Sequence, residues 1–379
     1  MKKLLCIVLT LAMVLSLTAW TAAEENVDPN ADDYRYEVPA GNGYSLAWYY
    51  KEADFEDCHS AYTGKGGAVR VPDDPTTEIP KADKPYTIGF SMNCAEDEVG
   101  AAILENMKRY AAEAGVELLV NDANNDQDLQ NQAVRQWIED KVDGVIIAPC
   151  DFYGVKDALD ACTEANIPVV TLNPAMEGTA NAGVLSDHVE QGRMAGEMLL
   201  DYMKANHISA SGIILISTLD SAHPYTAARA KGIHDAFKDC PYIQFKVLAD
   251  DSAEDHAFLF ESAIVTYGDS LLGCYGLNAS ATIGCMDGAR EIGSDLPIIS
   301  FDNDATTFKD IVDGRLLGAV CSSFTAPSFW CMSAMVNLLN GVEVPSIYWN
   351  ANLKVTQDNV AEAFEHYYGQ TLVDYLAGE

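Results

Sequence analysis

From residue 86 onward, short apolar runs alternate with amphipathic stretches, and few folds accommodate that rhythm. Residues 86–91, 116–121, 144–148 and 168–172 read as buried strands. Helical patterns, such as residues 101–114 and 127–140, separate them. Strands alternating with helices of about 10–15 residues imply a parallel sheet, because each crossover needs a helix to carry the chain back to the same edge. The rhythm restarts at residues 213–217 and continues at 243–248, 271–275 and 297–301. Two such units predict an α/β protein made of two doubly wound parallel-sheet lobes. In open sheets of this kind the ligand sits beyond the carboxyl ends of the strands. The residues just past each strand are therefore the candidates for function.

What precedes residue 86 has no such rhythm. Lys2 and Lys3 are followed by an apolar run over residues 4–17. A bilayer-spanning helix needs about 20 residues, so the run suits the core of a signal peptide instead. Thr21-Ala22-Ala23 offers small residues for cleavage, which predicts a leader over residues 1–23 and an exported chain. Leu17-Thr18-Ala19 also opens a lipoprotein box, but Trp20 stands where an acylated cysteine would follow. No lipid anchor is expected. Residues 24–85 read as an N-terminal extension, rich in tyrosine and tryptophan as far as Tyr62 and then extended through Pro72, Pro75, Pro80 and Pro85. Its aromatics are expected to pack on the main body; a surface for docking a partner is the alternative.

Composition excludes some partners. Acidic residues outnumber basic ones 57 to 23, for a net charge of −34. Such a surface repels phosphate backbones and anionic lipid, so no nucleic acid partner is expected. The ten cysteines are too dilute for a disulfide scaffold. Cys94, Cys150, Cys274, Cys285 and Cys321 lie in or beside apolar segments and are expected to be reduced, acting as small hydrophobes. Sequence alone does not give their pairing.

The strand ends are polar in a consistent way. The first strand runs into Asn93-Cys94-Ala95-Glu96-Asp97 and the fourth into Asn173. In the second unit the strand ends lead to His223-Pro224-Tyr225 and Arg229, to Asn278, to Asp302, and, after the apolar residues 316–321, to Ser322. Any one of these could be a helix cap. Together they supply carboxylates, amides, hydroxyls and a guanidinium, a set suited to a polyhydroxylated ligand.

Other chemistries fail on spacing. The run from Asp122 to Asp128 resembles a calcium loop, but Gln127 replaces the turn glycine and Ala133 the bidentate glutamate. No HExxH, GxSxG or phosphate-binding loop occurs, and no two histidines stand four apart. Neither a catalytic constellation, a metal site nor a cofactor is expected.

Three stretches carry a family resemblance: LLVNDANNDQDLQNQAVRQWIEDKVDGVIIAP over residues 118–149, AHPYTAARAKG over 222–232 and IISFD over 298–302. In these the chain resembles type I periplasmic solute-binding proteins of the ribose and galactose group, over residues 85–354. The resemblance implies two lobes joined by three crossing strands, residues 86–187 with 323–352 and residues 188–322 with 353–379. It implies a monomer that encloses a sugar-like ligand and presents its closed form to the permease and ATPase subunits of an importer. An exported sensor facing a membrane receptor or histidine kinase is the alternative. A repressor's effector domain shares the fold but would need a DNA-reading helix where this chain has its leader.

Carried over residue by residue, the resemblance marks Asp97 and Asn173 on the first lobe and Arg229, Asn278, Asp302 and Ser322 on the second lobe and hinge, with His223 on a histidine of the glucose-binding branch. Asn93 and Tyr225 are further candidates, and Tyr225 is the first suspect for a stacking ring. The family sandwiches its sugar between aromatic rings, but Val99 and Glu254 fall where those rings are expected. That substitution predicts a ligand held by hydrogen bonds from Asp97, Glu254 and Arg229. Such a site favours a hydroxyl-rich or amine-bearing molecule over plain glucose or ribose, with sugar phosphates least suited.

Overall fold

The computed structural model describes residues 62–96, 98–175, 177–219 and 224–378. The expected leader, the extension up to residue 61, Asp97 and His223 lie outside them. Within the described residues two sheets form, with helices on their faces.

The first sheet has seven strands: β1 (Ala68–Arg70), β2 (Thr87–Met92), β3 (Glu117–Asp122), β4 (Gly144–Ile147), β5 (Val169–Leu172), β6 (Ala182–Ser186) and β12 (Ile347–Asn350). Their order is β1-β12-β6-β5-β4-β2-β3, and every pairing is parallel. Helices α1 (Glu98–Ala114), α2 (Gln127–Asp140), α3 (Lys156–Ala165) and α9 (Ala326–Leu339) accompany it. The second sheet takes β7 (Ser211–Thr218), β8 (Tyr242–Ala249), β9 (Leu271–Gly276), β10 (Ile298–Ser300), β11 (Gly318–Ser322) and β13 (Asn352–Val355). It is parallel except where β13 runs antiparallel to β11. Its helices are α4 (His188–Ala205), α5 (Pro224–Ala236), α6 (Ala253–Tyr267), α7 (Ala279–Ile292), α8 (Ala305–Val312), α10 (Val360–Tyr368) and α11 (Leu372–Gly378).

The chain changes sheet three times: between β6 and α4, between β11 and α9, and between β12 and β13. These crossings are tied to one another. Asn352 Nδ2 donates to the Asp187 carbonyl at 3.1 Å, and Ser323 N donates to the Ala351 carbonyl at 3.4 Å.

The acidic run that mimics a calcium loop has a local task. Asp126 caps α2, its carboxylate accepting from the amides of Asp128 and Leu129 at 2.9 and 3.1 Å. Asp122 likewise accepts from Ala95 and Asn124. Both are the usual use of Asp beside exposed amides.

Two parts of the chain depart from the sequence reading. Residues 68–70, inside the expected irregular extension, form the edge strand β1 against β12. Three residues are too few for a hydrophobic period to register. Tyr62 from the same segment is 6% exposed and exchanges a 3.0 Å hydrogen bond with Thr171, so it packs on the first lobe. Its fellow extension aromatics lie outside the described residues. Beyond β1, Asp73 reaches the other lobe, where its carboxylate pairs with His366 Nε2 on α10 at 2.9 Å.

Two glycines bring α4 and α5 into backbone contact. A Cβ on Gly192 would stand 1.9 Å from the Arg229 carbonyl, and one on Gly232 would stand 1.9 Å from the Val189 carbonyl. Only glycine permits that approach, and it sets the first turns of α4 beside Arg229. Of the described cysteines, Cys162, Cys274, Cys285, Cys321 and Cys331 are buried and Cys94, Cys150 and Cys240 half-buried, all as free thiols.

Candidate functional site

The carboxyl ends of the two sheets border a cavity of about 560 Å³. Asn93, Asn173, Tyr225, Arg229, Asn278, Asp302 and Ser322 all line it. These seven candidates follow six different strands, Tyr225 and Arg229 sharing the helix after β7, so their meeting reflects topology rather than sequence proximity.

The first lobe contributes amides and a ring. Asn173 follows β5 with a left-handed backbone, φ 75°, and its amide donates to the Val184 carbonyl at 3.0 Å. Asn tolerates that conformation better than most residues. No hydrogen bond occupies its side chain among the described residues, so the carboxamide is available to a ligand. Phe152, half-buried in the turn after β4, adds an aromatic wall. Two glutamines of α2 hold this turn: Gln130 Oε1 accepts from Cys150 N at 3.3 Å and Gln127 Oε1 from Asp151 N at 2.8 Å. Burial and the nearby Asp126 and Asp122 push the Cys150 thiol up to about 11, so it stays protonated at neutral pH and is a poor nucleophile.

The second lobe contributes charge. Arg229 on α5 spends two N–H groups on the protein, donating from Nε to Gln191 Oε1 at 3.1 Å and from Nη1 to the Leu277 carbonyl at 2.6 Å. A guanidinium has five, so three remain. The rings of Tyr225 and Phe301 lie 5.1 and 4.9 Å from its carbon. Burial lowers its pKa from the ordinary value and Asp302 opposes that; the group stays charged at any physiological pH.

Asp302 accepts through Oδ2 from Ser300 and Thr282 at 3.0 and 3.2 Å. Its other oxygen has no partner among the described residues. Burial pushes this carboxyl above the usual range, while Arg229 and the two hydroxyls pull it back. Arg229 and Asp302 feel each other but form no ion pair within 4.0 Å. Both line the cavity, so together they present a donor and an acceptor to it. Asn278 sits at the N-cap of α7 without capping it; Nδ2 donates to Ser280 Oγ at 2.7 Å and the buried Oδ1 has no partner. The helix-cap explanation therefore fails at Asn278, and an acceptor is left for a ligand hydroxyl.

At the hinge stand two residues outside the strand-end candidates, because the preceding strand β6 is not among the apolar runs marked in the sequence. His188 lines the cavity from the start of α4, with its ring 5.7 Å from that of Tyr225. Gln191, one turn later and fully buried, joins His188, Arg229 and Ser322. A helical first turn at a crossing carries no sequence signal of this kind.

Glu254 does not join the site. It is exposed in the first turn of α6, where Ser252 and Asp255 cap the helix reciprocally at 3.1 and 2.7 Å. Val99 does line the cavity, but so do Phe152, Tyr225, Phe301 and Phe324. The expectation of a cleft without aromatic faces is thereby corrected. Asp97 and His223 lie outside the described residues. Among the described residues no group of three His, Cys, Asp or Glu could hold a metal ion. A second concavity of about 680 Å³ lies between residues 73–81, α1 and His366. It sits away from the strand ends, and its Arg109 is already engaged by Asn106 and Glu113.

Comparison with known proteins agrees with this architecture. The periplasmic binding protein domain matches residues 88–343, and the chain belongs to that family. The ribose import binding protein of Bacillus subtilis is 22% identical over 262 residues, 69% of this chain and 84% of that protein. The xylitol-binding protein of Mycolicibacterium smegmatis is 26% identical over 268 residues, 69% of this chain and 75% of that one. Among solved structures, an ABC transporter solute-binding protein from Actinobacillus succinogenes with bound D-allose superposes with a TM-score of 0.65 at 17% identity, covering 74% of this chain and all of its own. The fold is the two-lobed one of these proteins, and the family places the chain outside the cytoplasm. No described helix is long and apolar enough to cross a membrane.

Proposed function

We propose that this protein is the solute-capturing subunit of an ABC importer, binding a neutral sugar or polyol between its lobes without chemical conversion. Residues 86–187 with 323–352 act as one jaw and residues 188–322 with 353–379 as the other. The observation that carries the reading is the Arg229–Asp302 pair, which flanks the cavity without closing on itself. A hydroxyl placed there accepts from the guanidinium and donates to the carboxylate. The Asn173 carboxamide and the unpartnered Oδ1 of Asn278 extend the same pattern across the cleft. Relatives named for ribose and xylitol, and a neighbour solved with D-allose, support a hydroxyl-rich ligand.

Ligand joins the two jaws, and the shape so stabilised is what the permease reads. The protein acts as an exported monomer after removal of residues 1–23, and Trp20 leaves it without a lipid anchor. With one cationic side chain against one carboxylate among the described residues, the cavity disfavours sugar phosphates. The test is a thermal-shift screen of aldoses, polyols, amino sugars and sugar phosphates, followed by calorimetry. Stabilisation by neutral aldoses or polyols is expected. A response confined to sugar phosphates, or none to any polyhydroxylated compound, overturns the reading.

A further inference from the structure

Gln191 is fully buried in the first turn of α4, and its two amide atoms meet three side chains of the cleft and hinge. We propose that Gln191 is a positioning residue that fixes the donor and acceptor polarity of the site, so that Ser322 presents a hydrogen-bond donor to the ligand. The inference rests on the binding reading above and deepens it.

The argument is proton bookkeeping. The Nε–H of arginine can only donate, so the amide atom 3.1 Å from Arg229 Nε is the oxygen of Gln191. That same oxygen lies 2.7 Å from His188 Nδ1. Two acceptors cannot pair, so Nδ1 carries a proton, and Nε2 is the acceptor of the neutral ring. The NH₂ of Gln191 is then the group that faces Ser322 Oγ, and it donates to it. One lone pair of the hydroxyl is thereby used, and its hydrogen is left to turn into the cavity that Ser322 lines.

A serine hydroxyl by itself either donates or accepts. Here a chain of obligate roles, beginning at a guanidinium, occupies one lone pair and leaves the hydrogen free to be donated to the ligand. Rotating the amide would set two N–H groups against the buried Arg229 and leave the chain unsatisfied. The ligand atom that meets the Ser322 hydrogen is accordingly an oxygen acting as acceptor.

Replacing Gln191 by glutamate separates positioning from polarity. A carboxylate still accepts from Arg229 and His188, but its second oxygen captures the Ser322 hydrogen. Four proteins are compared with the wild type: Gln191→Glu, Gln191→Leu, Ser322→Ala, and Gln191→Glu with Ser322→Ala. D-ribose, xylitol and D-allose serve as probes in calorimetry. Nitrogen-15 spectra of the unliganded proteins report the His188 tautomer and the Arg229 Nε–H resonance.

The expected wild-type tautomer is Nδ1–H. Gln191→Glu keeps the Arg229 resonance but weakens probe binding about 3- to 10-fold, as Ser322→Ala does, and the double variant is no weaker than either. Gln191→Leu loses the resonance and binds more weakly still; if it fails to fold, the glutamate series decides alone. An Nε2–H tautomer in the wild type overturns the proposal, as does additivity in the double variant. If the wild type binds no probe, the binding reading fails, and the tautomer and Arg229 resonance decide the Gln191 assignment by themselves.

Discussion

Among the described residues, the polar side chains with which the first lobe lines the cavity are uncharged, Asn93, Asn173, Ser186, Ser323 and Asn350 among them, beside the ring of Phe152. On the second lobe they are Arg229 and Asp302, buried and braced by Gln191, Ser300 and Thr282. Both lobes offer side chains from the ends of parallel strands, yet the chemistry is unequal. The difference lies in support. A charged group can be held in a low-dielectric cleft only if its remaining donors or acceptors are satisfied, and the second lobe and hinge supply that satisfaction. The first lobe's carboxamides need none, because an amide left facing the cleft costs far less than a charge. On the proposed reading the second jaw is the principal holder of the ligand and the first covers it.

That inequality orders the effects of substitution. Arg229→Ala removes three free donors and takes one donor each from Gln191 Oε1 and the Leu277 carbonyl. Affinity for the best ligand should fall on the order of 30- to 1,000-fold, while the apo protein still melts cooperatively. Calorimetry and a melting curve measure both. A wild-type ligand-induced shift would show that the second jaw is not where the ligand is held.

Asp302 comes next. Asp302→Ala should weaken binding about 10- to 100-fold and Asp302→Asn about 10-fold at most, since the amide keeps one acceptor. The wild type should also respond to acid. Burial raises the folded pKa of Asp302 above the unfolded value, so the folded state binds this proton more tightly. Its contribution to stability is complete at low pH and is lost as pH rises through the raised midpoint. Binding runs the other way, because the protonated carboxyl has lost its charged acceptor. Affinity should fall with acid while the apo protein gains from this group, and Asp302→Asn should abolish both trends. Parallel rather than opposite trends would remove Asp302 from ligand contact.

Much of this arrangement is legible in the sequence. Apolar runs between helices mark the inner strands because both faces of a parallel sheet are buried, as in the fully buried β4 and β5. Helix α2 is legible to the residue because Asp126 caps it and Lys141 ends it in a left-handed turn. The edge strand β1 and the hinge strands β12 and β13 are not, being short and fixed by partners far away in the chain. The strand-end rule finds Asn173, Arg229 and Asp302. Applied after β4 it would also have found Phe152. It misses His188, two residues past β6, because that strand is not among the marked apolar runs, it does not reach Gln191 a turn further on, and it has no way to tell a ligand-binding acid from the capping acids around Glu254.

A first-jaw substitution should cost less than any of those on the second. Phe152→Leu keeps most of the apolar area and loses only the aromatic face, worth about 0.5–1.5 kcal/mol in ring contacts. Affinity should drop about 2- to 10-fold in calorimetry. A larger loss than that of Asp302→Ala would invert the proposed order and make the first jaw the principal holder.

The smallest effect should come from outside both jaws. Asp73 belongs to the strap that follows β1, yet its carboxylate meets His366 on the second lobe, with the two side chains 20% and 35% exposed. Exposed and half-exposed pairs of this kind contribute about 0–1 kcal/mol, because water screens them and ordering two side chains costs entropy. Asp73 does not line the cavity. Asp73→Asn should therefore lower the stability measured by denaturant titration by no more than about 1 kcal/mol and leave ligand affinity unchanged. Because this contact ties one lobe to the other, the affinity is the sharper measurement. A shift in affinity without a matching loss of stability would mean that the strap, and not the cavity alone, sets how readily the jaws close.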